Sequence, residues 1–353
     1  MPLINRHQIL KRLEEHRIPH FEIRLQNDVT IVLSELGGRI YGPFLTPQSD
    51  SLSWVPAVFS DQEAFSAHLP GGWNYGGERF WIAPEIQYLV RDRDDYFGSL
   101  FIPPSMDPGS WQIDRSDDSR WQLSQSLELE AFNLASGRKT LHIDVTLYPS
   151  PNPLRHLAAN HELMEDVVYA GYNQIVRLRE EQHDEILSAA WNLFMLNPGG
   201  EILIPCTPAV EVTCYKGDLD ERVMSVRRNH VRFQISGKQM YKAGLKAAHT
   251  FGRLAYLHPR TDGPSYLLVR NFSNNPAAEY PEEPPHLPGL RGDSIHIYND
   301  DGGFGDMGEL ECNGQTIGGC TGRSESLDML SLWLFAGPVD RLHAIAFQLL
   351  GVE

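Results

Sequence analysis

Cysteine is scarce: four residues in a chain of 353. That is too few for a disulfide scaffold. Cys206 and Cys214 stand eight apart, as do Cys312 and Cys320, whereas zinc ribbons use gaps of two to four. The expectation is therefore free thiols, with no metal centre and no cofactor. Basic residues are also few: 30 Lys plus Arg stand against 46 Asp plus Glu, a formal net charge of −16. A non-specific nucleic-acid binder needs a basic stripe, so neither nucleic acid nor an anionic membrane surface is an expected partner. No apolar run reaches the roughly 18 residues of a membrane helix, and residues 1–23 contain no apolar signal core. These points lead to the expectation of a cytoplasmic protein. Gly199-Gly200 and Gly318-Gly319 read as turns, neither of which makes a GxGxxG or P-loop spacing, and no Gly-x-Ser-x-Gly occurs. What remains is an ordinary globular composition, 41% hydrophobic and 22% charged, with enough apolar mass for a large core.

The hydrophobic periodicity is that of strands. Ile9, Leu10 and Leu13 have helical spacing within residues 5–16, and Pro19 ends any helix there. Phe21, Ile23 and Leu25, then Val29, Ile31 and Leu33, alternate at period two around a turn at Asn27-Asp28. The clearest strand is 140–148, with Leu141, Ile143, Val145 and Leu147 on one face. Further strand-like runs fall at 168–178, 186–196, 209–215, 230–235, 265–272, 293–299, 306–312 and 328–335. Clusters of Pro, Gly, Asn and Asp separate them, a pattern of antiparallel sheets and not of βαβ units. Val339 to Leu350 returns to helical spacing, with Gly351 at a C-cap position. A length prior of roughly 150 residues per domain suggests two domains. No linker or repeat divides the chain, however, so the expectation is one all-β domain over 1–353. It comprises a large antiparallel β-supersandwich, an N-terminal helix and lead-in over 1–20, and a C-terminal helix over 338–351.

Three segments carry chemistry. Residues 71–85 pack four glycines with Trp73, Arg79, Trp81 and Glu85. Aromatic faces beside a few charges suit a sugar ring, whose C–H faces stack and whose hydroxyls take charge-assisted hydrogen bonds. Phe80 and Trp81 are expected to fill core, and Arg79 and Glu85 are weighed as sugar ligands or as ion-paired with each other or across strands. In residues 305–313, Glu309, Glu311 and Asn313 share one strand face. Two carboxylates a strand repeat apart repel, raising the pKa of one toward that of a general acid or base. The competing reading is a solvated acidic edge. Asn192, inside the apolar run 188–196, is either satisfying a backbone group or contacting a ligand.

Together these segments resemble the galactose mutarotase-like superfamily, which includes the aldose 1-epimerases. The similarity runs through Leu36-Gly37-Gly38-Arg39-Ile40, Gly77–Glu85, Trp191-Asn192-Leu193, Gly199-Gly200, Val269–Phe272, Tyr280 and Glu309-Leu310-Glu311. The motif at Gly77–Glu85 is similar to one in uncharacterised bacterial members. The resemblance implies a β-supersandwich and a small-molecule sugar as partner. It also implies a late Glu that takes the anomeric proton, at Glu311 or otherwise Glu309, and an early Arg that holds the sugar, at Arg79. Where the epimerases carry a proton-donating His, this chain aligns Ser188. Either another His, such as His258 or His142, reaches the site, or the chain does not epimerise in the usual way. The expected function is thus an aldose 1-epimerase-like isomerase using Glu311 and Glu309, with Arg79, Glu85, Trp73 and Asn192 as sugar contacts. The alternatives are a non-catalytic sugar-binding protein and a glycan-cleaving enzyme with a Glu pair.

Overall fold

Two large sheets face each other in the computed structural model, which describes residues 3–352. One has nine strands, in the order His20–Arg24, Thr30–Ser34, Arg39–Phe44, Glu78–Ala83, Ala189–Leu196, Gly308–Asn313, Asp293–Asn299, Tyr241–Lys246 and Val212–Gly217. The other has ten, running from Met224–Val226 through His230–Ile235, Gly200–Pro205, Arg253–His258, Ser265–Phe272, Glu325–Gly337, Val168–Glu180, Gly137–Pro149 and Arg120–Ala131 to Gln112–Asp117. Paired strands are antiparallel throughout. This is the all-β supersandwich that the periodicity and the resemblance predict. Among the described residues no helix is long and apolar enough to cross a membrane.

The local signals act as their chemistry requires. Arg6–Glu15 is a helix because Asn5 and Gln8 satisfy each other's backbone N–H groups in a capping box, while Ile9 and Leu13 bury against Val32, Tyr41 and Phe44. Asn27 and Asp28 adopt positive φ in the first hairpin's turn, a conformation these two residue types tolerate. In Gly137–Pro149 the odd-numbered leucines, Ile143 and Val145 are buried and their neighbours half-exposed. Val339–Leu350 ends at Gly351 in the left-handed conformation, and its Leu342, Ile345 and Leu349 cover Leu257, Leu267 and Phe335 on the back of the ten-stranded sheet.

Two features differ from the sequence expectation. Helix is not confined to the ends: Gln62–His68 is helical, and Glu85–Tyr88 forms a single turn. Two strands also escape the periodicity, Arg39–Phe44 and Glu78–Ala83, and the short strand Tyr241–Lys246 is an addition to the strands expected from sequence. The first two are buried along their whole length, and a strand covered on both faces has no reason to alternate.

Glu78 joins the two sheets. From the nine-stranded sheet it accepts hydrogen bonds from Arg270 at 2.6 Å and Gln174 at 3.1 Å on the ten-stranded sheet, from Asn192 at 2.7 Å, and from the hydroxyl of Tyr172. All five side chains are buried. Removing one member of such a pair leaves a buried charge uncompensated, at a cost of about 3–5 kcal/mol. Glu78→Gln is expected to lose stability on that scale in urea unfolding. A loss of about 0.5 kcal/mol, as for an exposed pair, would show that the sheets do not depend on this contact.

Candidate functional site

The face of the nine-stranded sheet turned away from its partner carries a cleft of about 210 Å³. Strand alternation decides what points into it. In Glu78–Ala83, Glu78 and Phe80 face the core, which leaves Arg79 and Trp81 on the cleft side. In Ala189–Leu196, Trp191 and Leu193 face the cleft while Asn192 and Phe194 face the core. Glu309 and Glu311 point into it from Gly308–Asn313. Lys242 and Lys216 reach it from two strands nearer the edge, where they are ladder partners. Trp73, Tyr96 and Phe304 wall it from loops and a short helix.

The side chains form an interlocked set of charges. Arg79 donates through Nη2 to Glu309 at 2.8 Å, and its guanidinium lies 4.2 Å from the centre of the Trp81 ring. Trp81 is fixed by Asp107, which accepts its indole N–H at 2.8 Å and also binds Arg39 at 2.7 Å. Lys242 donates to Glu85 at 2.5 Å, lies 3.5 Å from Glu311, and sits 4.7 Å over Trp191. Tyr96 donates to the other oxygen of Glu85. Glu282 accepts the backbone N–H groups of Glu85 and Ile86, which anchors the turn that presents Glu85. Glu311 accepts from the indole of Trp191 at 3.0 Å through Oε2, whereas its Oε1 is buried without a hydrogen-bond partner.

Burial pushes the Glu311 carboxyl up to about 7; Lys242 and Arg79 oppose this, and the charges of Glu309 and Glu85 reinforce it. Burial likewise pushes Glu282 up to about 8, helped by Glu85. Burial also acts upward on Glu85, but the charge and hydrogen bond of Lys242 and the hydroxyl of Tyr96 outweigh it, leaving Glu85 below the usual range. Two nearby carboxylates are thereby driven apart, Glu85 firmly ionised and Glu311 titrating near neutrality.

Of the residues singled out from sequence, the structure brings Arg79, Glu85, Glu309, Glu311 and Trp73 to this one cleft. Asn192 is a correction. It lies on the opposite face, hydrogen-bonded to Glu78 in the core, and cannot contact a ligand in the cleft. Arg79 and Glu85 do not pair with each other; each makes the across-strand kind of ion pair that is the other alternative, Arg79 with Glu309 and Glu85 with Lys242. Trp81, expected as core filling, is buried in the main hydrophobic cluster and also forms part of the cleft wall. Ser188 is buried against the hydroxyl of Tyr88 at 2.6 Å. His258 and His142 belong to the ten-stranded sheet, with His258 bonded to the Pro198 carbonyl and His142 to Ser126 and Glu181. The histidine nearest in register is His296, the ladder partner of Glu311. It is buried edge-on to Tyr215, and burial together with Lys242 and Lys246 keeps its ring well below the usual histidine range, hence neutral.

Lys242 and Lys216 were not found from sequence. The signal for Lys242 is the alternation Tyr241, Ala243, Leu245 against Lys242, Gly244, Lys246, a short strand with basic residues on one face only. Phe304 is placed by Asp300, whose Oδ2 collects the N–H groups of Gly302, Phe304, Gly305 and Asp306 at 2.9–3.2 Å. The Phe304 ring then meets Trp73 edge-on at 5.5 Å.

The model of a family of unknown function, DUF6786, matches residues 8–353. No curated protein matches. Among solved structures, a candidate aldose 1-epimerase of Escherichia coli K12 superposes with a TM-score of 0.53 at 9% identity, over 90% of this chain and 99% of that one. A galactose mutarotase related enzyme of Lactobacillus acidophilus gives 0.44 at 8% identity, over 91% and 97%. A candidate aldose 1-epimerase of Klebsiella pneumoniae gives 0.43 at 8%, over 94% and 83%. The first of these establishes a galactose mutarotase-like fold; identities this low carry nothing about activity.

A carboxyl raised by folding has a pH signature with a definite sign. The native state holds the Glu311 proton after the unfolded chain has released its own, so ionising Glu311 removes stability as pH rises from the ordinary glutamate range through about 7. Glu311→Gln cannot ionise. Its melting temperature relative to wild type is expected to climb over that window and level off above it, as followed by thermal melts from pH 4 to 8. A difference that stays flat or falls with pH would show that Glu311 is an ordinary carboxylate.

Proposed function

We propose that this chain, which belongs to the DUF6786 family, is a carbohydrate-active isomerase of the aldose 1-epimerase type, acting on a free sugar or sugar derivative by acid/base ring opening. The observation that supports this most is Glu311. It sits on the floor of a cleft walled by Trp73, Trp81, Trp191 and Phe304, with one carboxylate oxygen unpartnered and a pKa near neutrality. A general base works best when its pKa lies near the working pH. At about 210 Å³, the cleft falls below the roughly 300–1,000 Å³ that drug-sized ligands occupy, which suits one sugar ring and not an extended glycan.

In this reading Glu311 takes the anomeric hydroxyl proton through its free oxygen. The C1–O5 bond breaks as the carbonyl forms, and the ring oxygen is left negative. Arg79 has Nε and Nη1 without hydrogen-bond partners and can offer them to that oxygen, stabilising charge as it develops. Rotation about the C1–C2 bond and reclosure give the other anomer. Lys242 keeps Glu311 from rising further and so keeps it available as a base.

A second reading is a sugar-binding protein without catalysis. What favours it is the position aligned with the family's histidine: Ser188 is buried against Tyr88 and turned to structural use.

Anomer exchange measured by NMR over a panel of aldoses, together with calorimetric binding, separates the two. Glu311→Gln is expected to slow exchange by about 10²–10⁴-fold while changing affinity much less. Glu309→Gln is expected to slow exchange less than Glu311→Gln, because it loosens the anchor of Arg79 without removing the base. Binding without any wild-type acceleration would leave the non-catalytic reading.

A further inference from the structure

Three cations line the cleft, and two of them are already engaged: Arg79 by Glu309, and Lys242 by Glu85 and Glu311. Lys216 is different. Among the described residues its ammonium has no ion pair and no side-chain hydrogen bond; it lies 4.5 Å from the centre of the exposed Phe97 ring. Of the acidic groups it feels, Asp301 is exposed and makes no ion pair with it, and the other two are engaged elsewhere. Glu85 is held by Lys242 and Tyr96, and Asp300 by the backbone N–H groups of the loop behind Phe304. Burial and the adjacent Lys242 lower its pKa, which marks a positive charge short of compensation.

The balance of the whole cleft agrees. Arg79, Lys216 and Lys242 face Glu85, Glu309 and Glu311 there. Burial raises the Glu311 carboxyl to about 7, so the anionic side of that set is weakened near neutral pH. Position adds a length. Lys216 stands on the edge strand, three strands across the sheet from Glu311. Register carries Lys216 through Lys242 and Tyr298 to Glu309, with Glu311 two residues further along; at roughly 4.8 Å per strand and about 6.8 Å for that offset, the two backbones are about 16 Å apart. Both side chains line the one cleft, with Lys242 between them.

Resting on the reading of this cleft as a sugar site, we propose that the ligand is a sugar bearing an anionic group, a carboxylate or a phosphate, at the end of the ring remote from the anomeric carbon, and that Lys216 receives that group. A neutral aldose leaves the ammonium uncompensated; an anionic one supplies the missing charge in a partly desolvated place, where a charge-assisted hydrogen bond is strong.

The test uses matched sugars that differ only at C6: glucose, glucuronate and glucose 6-phosphate, and the same three in the galactose series. Binding is measured by calorimetry for wild type, Lys216→Gln and Lys216→Arg. At least one anionic sugar is expected to bind wild type about tenfold or more tighter than its neutral parent. The advantage should shrink at high salt, disappear in K216Q and persist in K216R. Preference for the carboxylate or for the phosphate identifies which anion the site takes. Equal or tighter binding of the neutral parent overturns the proposal, as does an anionic advantage that survives in K216Q, or no binding of any anionic sugar. The isomerase reading stands or falls separately. Accelerated anomer exchange without anionic preference removes only this inference, and Lys216-dependent binding without exchange removes only the catalysis.

Discussion

Glu78 and Arg79 are neighbours in sequence and point to opposite faces of the same strand, and most of the molecule's organisation follows from that. Glu78 is committed to the core, where Arg270, Gln174 and Tyr172 of the opposite sheet converge on it. A charge buried this deeply is tolerable only when its partners are fixed, so the contact sets how the two sheets sit across from each other at this strand. Once Glu78 faces inward, strand geometry leaves Arg79 no choice but the outer face. Asn192 belongs to the same constraint: by binding Glu78 it turns Trp191 and Leu193 outward. The polar knot in the core and the cleft on the surface are two sides of one alternation.

The cleft in turn depends on cross-strand neutralisation. Glu309 and Glu311 are two residues apart with no basic residue beside them in sequence, an arrangement that reads as readily as a solvated acidic edge. In the fold this strand is interior to the sheet, and its partners come from sequence positions far away: Arg79 from one side, Lys242 from the other. The two carboxylates are treated differently. Glu309 receives a direct 2.8 Å bond from a guanidinium. Glu311 has an indole N–H and a cation 3.5 Å off, which leaves burial as the largest influence on its proton. Differences in environment thus separate the roles of two identical side chains.

The fold was legible in the sequence because its long outer strands are half-buried. Gly137–Pro149 and Val168–Glu180 alternate, and their turns carry Pro, Gly, Asn and Asp. The central strand Glu78–Ala83 was not legible as a strand, because it is covered on both faces and reads as a glycine-rich segment with charges. Its chemistry was nevertheless visible, since charged residues amid glycines and aromatics stand out against an ordinary core. The same logic misled at Asn192: a polar residue in an apolar run marks a buried hydrogen bond, but only topology says on which side of the sheet. Lys242 and Lys216 stayed hidden because a lone lysine on a short strand looks like any surface lysine until its ladder neighbours are known.

The absence of an imidazole at the position of Ser188 is best understood from the same geometry. Ser188 is fully buried and hydrogen-bonded to Tyr88, so a histidine there would have to displace a packed tyrosine. The histidine that does lie beside Glu311 in the ladder, His296, is buried edge-on to Tyr215 and is held neutral by burial and by Lys242 and Lys246. A neutral buried imidazole is a poor proton donor at neutral pH. Positive charge in this cleft comes instead from Arg79, Lys242 and Lys216; under the proposed reaction such groups would stabilise a developing oxyanion by staying protonated and not by giving a proton away. If the chain opens sugar rings, its geometry favours doing so with one titrating carboxyl and fixed cations, a division of labour in which Glu311 alone must change protonation state.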